Sequence, residues 1–159
     1  MNTPLPAPRG DGAPPPNAAA VTLRAFAPAD EPAVIALWQA CGLTRPWNDP
    51  RLDIARKLRQ QPELFLVGDF AGVVGASAMV GYEGHRGWIN YLAVDPRWQR
   101  RGIARRLMAE AESRLRALGC PKLNLQVRAG NVEALAFYRA LGYQPDDVVC
   151  LGRRLLSDE

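Results

Sequence analysis

Residues 88–119 constrain this chain more than any other stretch. Trp88-Ile-Asn-Tyr-Leu-Ala-Val94 reads as a strand, and Asp95-Pro96 stops it. Ile103, Leu107, Ala111, Leu115 and Leu118 then recur at helical spacing as far as Gly119. Between the two lies Trp98-Gln-Arg-Arg-Gly-Ile-Ala104, a short arginine-rich turn. A strand that enters a helix through such a turn builds an anion site. The first N–H groups of the helix lack intrahelical partners, and the helix dipole favours negative charge there. Gly102 and Ala104 carry almost no side chain, so a phosphate can come close to the backbone. The competing reading is a solvated basic helix start. The spacing matches neither the Walker A pattern nor Gly-x-Gly-x-x-Gly.

The flanking segments continue the pattern. Gly119-Cys-Pro121 ends the helix, and Lys122 to Val127 alternates polar and apolar residues as a half-buried strand does. Asn131 opens another helix, which carries Phe137-Tyr138 and stops at Leu141-Gly-Tyr143. Upstream, Val21 to Phe26 reads as a first strand. Asp30 is expected to cap a helix with Pro32 in its first turn, and Val34, Leu37, Trp38 and Cys41 form its apolar stripe. Asp49 and Pro50 mark the start of a second helix. Leu64 to Phe70 and Val73 to Tyr82 read as strands joined by an Ala71-Gly72 turn. Glu83 to Gly87 turns the chain into the strand at Trp88, and Asp147 to Leu156 reads as a final strand. The pattern predicts an α/β domain over residues 21–159, with helices on both sides of one sheet.

The first 20 residues hold six prolines and no basic segment followed by an apolar one. They read as a disordered tail, or as a mis-set start, rather than a secretory signal. No apolar run reaches membrane-spanning length, so a soluble cytoplasmic protein is expected. Cys41, Cys120 and Cys150 are odd in number and lack metal-ligand spacing, which fits reduced thiols and no metal. Net charge is +4, and five arginines fall between Arg97 and Arg106. Such a cluster suits nucleic acid or a small polyanion. With Trp98 as its only aromatic, the small ligand is favoured.

Gln99-x-x-Gly102-x-Ala104, with the strand before it and Asn131 and Tyr138 after it, resembles the phosphate-binding signature of the GNAT (GCN5-related) acetyltransferases. Arg45-Pro-Trp-Asn-Asp-Pro50, Gly81-Tyr-Glu-Gly-His-Arg-Gly87, Gly119-Cys-Pro-Lys122 and Leu151-Gly-Arg-Arg154 narrow the resemblance to the YpeA-type bacterial group, related to the RimI-like enzymes. It covers almost everything outside the tail. It implies a mixed sheet of six to seven strands flanked by about four helices, with the fourth and fifth strands splayed. It also implies transfer of acetyl from acetyl-CoA to a primary amine, on a protein N-terminus or a small molecule, by direct attack in a ternary complex. The chain would act as a monomer or homodimer, without nucleic acid or membrane.

The resemblance assigns roles residue by residue. Backbone groups of Leu92, Ala93 and Val94 would pair with the pantetheine arm. Arg100, Arg101, Gly102, Ile103 and Ala104 would offer N–H groups to the pyrophosphate, with Gln99 at the entrance. Tyr138 would protonate the leaving thiolate, unless it is only a core residue. Asn131 is either a cofactor contact or a helix cap. The fourth strand has no carboxylate, so Glu83 and His85 are the candidate bases, with Glu83 also near the acceptor. Arg45, Trp47 and Asn48 lie where an acceptor wall is expected, or else form a structural loop. Two other functions stand beside the enzyme: a coenzyme A-binding sensor without catalysis, and a nucleic-acid-binding module using Arg97 to Arg106.

Overall fold

The structure is a computed structural model that describes residues 20–159. The tail expected over residues 1–20 lies outside these residues except for Ala20. Five strands form one sheet in the order β1 (Val21–Ala25), β2 (Phe65–Phe70), β3 (Val73–Tyr82), β4 (Gly87–Val94), β5 (Leu123–Leu125). Neighbours are antiparallel except β4 and β5, which run parallel. Four helices complete the fold: α1 (Glu31–Ala40), α2 (Pro50–Lys57), α3 (Ile103–Ala117) and α4 (Val132–Ala140). No helix among the described residues is long and apolar enough to cross a membrane.

Side-chain alternation along the strands explains two separate cores. Phe65 and Val67 of β2 join Val34, Leu37 and Trp38 of α1 and Ile54 of α2 on one face. Leu66 of β2 and Ala76, Ala78 and Val80 of β3 join Ile103, Leu107, Ala111 and Leu115 of α3 on the other. Of the apolar stripes read from the sequence, Val34, Leu37, Trp38, Ile103, Leu107, Ala111 and Leu115 are buried, whereas Cys41 is half-buried and Leu118, at the end of α3, is exposed. The Ala71-Gly72 turn has φ of 53° and 94°, the double positive φ of a type I′ hairpin. Asp49 caps α2 by accepting from the Arg51 N–H at 2.8 Å.

Five expectations are corrected. Among the described residues the sheet has five strands, not six or seven. β1 ends at Ala25, and β5 spans three residues rather than Lys122 to Val127. Asp30 does not cap α1 with its side chain: its carboxylate accepts from the Ala27 N–H and from Arg24, closing the preceding turn instead. Asp147 to Leu156 forms no strand. Residues 144–159 make no main-chain hydrogen bond to main chain among the described residues, so no ladder forms despite the strand-like sequence.

Candidate functional site

Parallel strands that part company leave a crevice at their carboxyl ends. β5 pairs with β4 only over Gly87 to Ile89, so the edge of β4 from Asn90 onward has no ladder on that side. The arginine-rich turn leaves β4 at this end. It is anchored, not floating. Trp98 is buried and stacks on Phe70 with ring centroids 4.2 Å apart. It lies over Gly75, where an added Cβ would sit 1.9 Å from the indole. The Gln99 amide donates to the Val94 carbonyl at 2.9 Å, so Gln99 ties the turn to the strand end. The Cys41 thiol donates to the same carbonyl at 3.3 Å, and burial pushes that thiol's pKa up.

The start of α3 is open. α2 and α4 each have a side-chain cap, Asp49 and Asn131, whereas the N-cap of α3 is Gly102, with none. The first helical bond is Arg106 N–H to Gly102 C=O at 3.1 Å, which leaves the N–H groups of Ile103, Ala104 and Arg105 without intrahelical acceptors. Gly102 has φ +78° and Arg100 φ +62°, so the turn needs the left-handed region twice. Arg97 is committed to Asp95 through two bonds of 3.0 Å, and Arg106 donates to the Val21 carbonyl. Arg100, Arg101 and Arg105 are exposed beside the open helix start.

A β-bulge sits in the unpaired part of β4. Ser77 faces Ala93 and Met79 faces Asn90, so Ala78 alone stands opposite Tyr91 and Leu92. Burial records the extra residue: Ile89, Leu92 and Val94 pack on the α3 face, but Tyr91 and Ala93 on the α1 face. Tyr91 holds φ +52°, rare for a residue with a side chain. Three contacts hold it there. Its ring stacks on Trp38 at 3.8 Å, its hydroxyl donates to Asp53 at 2.6 Å, and its carbonyl accepts from the Ser77 hydroxyl at 2.8 Å. Ser77 is fully buried and accepts in turn from the Trp38 indole N–H at 2.9 Å. Burial first, then the hydrogen bond to Asp53, pushes the Tyr91 phenol up, so it stays protonated. In a trans peptide C=O and N–H point oppositely. With the Tyr91 carbonyl accepting from the Ser77 hydroxyl, the Leu92 N–H of the same peptide points away from Ser77 and into no ladder with β5. Sequence reasoning missed Trp38, Asp53, Ser77 and Tyr91 as a group.

Loop 126–130 leaves β5 at the crevice end of the sheet, because β5 runs parallel to β4. Asn131 follows it and caps α4, accepting from the Ala134 N–H at 3.1 Å. Tyr138 lies two turns further on, edge-to-face with Phe137 and Tyr143 at 5.0 and 5.8 Å. Its hydroxyl has no hydrogen-bond partner among the described residues, and burial pushes its pKa up to about 12. It therefore has a proton to give and no neighbour already taking it.

The structure does not bring Glu83 and His85 to the bulge. Both are exposed in the β3–β4 turn, beyond the first residue of β4. Five residues of strand separate Gly87 from Leu92, about 16 Å at 3.3 Å per residue. The Glu83 carboxylate is occupied locally, accepting from the N–H groups of His85 and Arg86. That end of β4 is paired with β5, so both residues lie at the opposite end of the strand from its unpaired edge.

The Arg45–Asp49 loop follows α1 on the same face as Tyr91. Arg45 turns its guanidinium back to the carbonyls of Gly42 and Thr44, at 2.7 and 2.9 Å. Asn48 accepts from Arg154 at 2.7 Å. Trp47 remains 48% exposed and, with Arg56, Arg153, Arg154 and Leu155, lines an open groove. Arg56 bridges Asp53 and Asp158, and this contact together with the Asp49 N–H holds the Asp158 carboxyl below its usual range. Among the described residues no group of His, Cys, Asp or Glu is arranged to hold a metal.

The chain resembles known proteins over most of its length. The profile of the acetyltransferase (GNAT) family matches residues 30–143. An acetyltransferase of Sodalis glossinidius is 49% identical over 138 residues, covering 86% of this chain and 97% of that protein. Among solved structures, Ard1 of Thermoplasma volcanium is 32% identical with TM-score 0.70, covering 77% of this chain and 82% of that one. The ribosomal-protein-S18-alanine N-acetyltransferase of Escherichia coli is 27% identical with TM-score 0.64, covering 77% and 76%.

Proposed function

Because the chain belongs to the acetyltransferase (GNAT) family, we propose that it carries acetyl from acetyl-CoA to a primary amine, on a protein N-terminus or a small molecule, in the cytoplasm. The observation that carries this reading is the uncapped, arginine-flanked start of α3 beside the unpaired edge of β4. In this reading Ile103, Ala104 and the turn of Arg100, Arg101 and Gly102 hold the pyrophosphate. The open β4 edge at Leu92, Ala93 and Val94 takes the amide-rich arm as an added strand. The Val94 carbonyl already accepts from Gln99 and Cys41, so Leu92 and Ala93 carry most of that pairing.

The same reading gives the chemistry. The Leu92 N–H donates to the thioester oxygen as the amine attacks the carbonyl carbon and negative charge gathers there. The carbon–sulfur bond then breaks, and Tyr138 gives its proton to the departing thiolate. The attacking amine must be neutral. An α-amine has a pKa near 8, so an appreciable fraction is neutral without a nearby base, and its proton passes to solvent. Trp47 and the basic groove beside it form the acceptor wall.

The test is release of free thiol from acetyl-CoA across a panel of N-terminal peptides, polyamines, amino acids and aminoglycosides. Release that rises with one amine class supports the enzyme. Tight acetyl-CoA binding with no acceptor-dependent release supports a sensor instead. Ser77→Ala probes the bulge. Removing the hydroxyl frees the Tyr91 carbonyl and orphans the Trp38 indole N–H, so stability falls by about 1–3 kcal/mol. Turnover falls by about tenfold, a fraction of the loss seen when an oxyanion donor is removed outright, with acetyl-CoA affinity retained. The carbonyl stretch of bound acetyl-CoA, isotope-labelled at the carbonyl carbon, reads this directly. An unchanged frequency in the variant would show that Ser77 does not orient the donor.

A further inference from the structure

Asp49, the cap of α2, and Asp53 and Arg56 within it are spaced so that helical period sets all three on one face. Ile54 and Lys57 are buried on another. Asp158 lies across the first face and touches both of its ends. Its carboxylate accepts from the Asp49 N–H at 2.9 Å and from Arg56 at 2.5 and 3.4 Å. The Asp158 side chain is 1% exposed, so its partners enclose the charge.

Arg56 divides its fork between two carboxylates. Its Nη1 donates to Asp53 Oδ1 at 3.1 Å and its Nη2 to Asp158 Oδ1 at 2.5 Å. A guanidinium that faces a single carboxylate commonly takes both of its oxygens. Here Asp158 holds one prong, which leaves Asp53 Oδ2 to the Tyr91 hydroxyl, donating to it at 2.6 Å. Three contacts thus connect Asp158 to the bulge in β4: Asp158 to Arg56, Arg56 to Asp53, and Asp53 to Tyr91. Burial and the Asp53 hydrogen bond push the Tyr91 phenol up, and the Asp158 charge adds to them, so the groups share one field.

We propose that Asp158 is a positioning residue for the Tyr91–Leu92 peptide, acting through Arg56 and Asp53. The proposal rests on the acetyltransferase reading, in which the Leu92 N–H meets the thioester oxygen. A side chain at positive φ stays there only while its surroundings over-determine it. Tyr91 holds φ +52° by its ring on Trp38, its carbonyl on Ser77 and its hydroxyl on Asp53. Trp38 and Ser77 are fully buried. The hydroxyl contact alone depends on partners nearer the surface, since Arg56 is 40% exposed. Without Asp158 the freed prong of Arg56 turns to Asp53 Oδ2 and competes with the phenol. The Tyr91 hydroxyl then lacks a fixed acceptor, and the peptide that presents the Leu92 N–H gains freedom. A strap serving stability would need only the contacts to Asp49 and Arg56. The divided fork is what ties Asp158 to Tyr91.

The experiment is a double-mutant cycle in the full chain between Asp158→Ala and Tyr91→Phe, which keeps the ring on Trp38 and removes the hydroxyl. Asp158→Ala alone is expected to lower kcat by about threefold to tenfold, a share of the loss on removing an oxyanion donor outright, with KM for acetyl-CoA unchanged. In the Tyr91→Phe background the same substitution is expected to leave kcat where it is, because the link is already cut. The Leu92 amide resonance of the unliganded protein reads that link without acetyl-CoA. It is expected to move on Asp158→Ala in the parent and to stay in place in Tyr91→Phe. Asp158→Asn, of the same size, answers the question if the alanine variant fails to fold. An unchanged kcat or an unmoved Leu92 resonance in Asp158→Ala overturns the proposal. So does an equal fall in kcat in both backgrounds, or a rise in acceptor KM alone, which would seat Asp158 in the acceptor groove. A parent that binds acetyl-CoA without acceptor-dependent turnover overturns the acetyltransferase reading and this role with it, whereas an unmoved resonance in an active parent overturns only the link.

Discussion

Gly102→Glu is expected to reduce acetyl-CoA affinity by more than about 100-fold, roughly 3 kcal/mol at 1.4 kcal/mol per tenfold. Two effects act together. Gly102 has φ +78°, so any side chain there strains the backbone by about 1–2 kcal/mol. A carboxylate would also stand at the uncapped start of α3, where the pyrophosphate is to sit. An added Cβ meets nothing within 4 Å, so the substitution does not clash with the protein and the fold survives. Gly102→Ala separates the two effects, since it carries the strain without charge. Calorimetric titration of acetyl-CoA should rank glycine above alanine and alanine far above glutamate. Equal affinities across the three folded proteins would remove the turn from the binding site.

Tyr138→Phe is expected to lower kcat on the order of 100-fold, a usual share for a proton donor, with acetyl-CoA affinity nearly unchanged. The ring contacts to Phe137 and Tyr143 are kept, and the hydroxyl gives up no hydrogen bond among the described residues, so stability should barely move. The pH profile gives an independent check. Burial pushes the phenol up to about 12, which disfavours the phenolate and keeps the proton in place through neutral and mildly alkaline pH. Turnover in the parent should therefore rise as the acceptor amine deprotonates and show no fall from Tyr138 below about pH 10. Full activity in Tyr138→Phe would leave this residue to the core and the proton to water.

Local signals were legible in the sequence wherever one short stretch decides the outcome. The Ala71-Gly72 hairpin, the Asp49 cap and the turn at Gly102 each depend on a few adjacent residues, and each forms as expected, while Asn131, open between a cofactor contact and a cap, caps α4. The stripe Val34, Leu37, Trp38 is buried because helical period places it on one face. What was not legible depends on long-range placement. Trp38, Asp53, Ser77 and Tyr91 come from four elements, and nothing local to any of them marks the partnership. Glu83 and His85 are near β4 in sequence, but strand length sets them at the end of β4 remote from its unpaired edge. The segment 146–156 has strand chemistry but forms no ladder among the described residues.

The Trp98 wedge has a consequence for how a ligand meets the turn. A phosphate-binding loop that is loose when empty must be ordered by its ligand, and each residue fixed costs about 1–2 kcal/mol of conformational entropy. Here the indole is buried against Phe70 over Gly75, and Gln99 is bonded to the strand end. The residues that precede the open helix start are therefore already immobilised by the protein's own core. Association should then proceed as docking to a rigid cradle, with a rate set by diffusion and by the field of Arg100, Arg101 and Arg105, and slowed by added salt instead of by loop rearrangement.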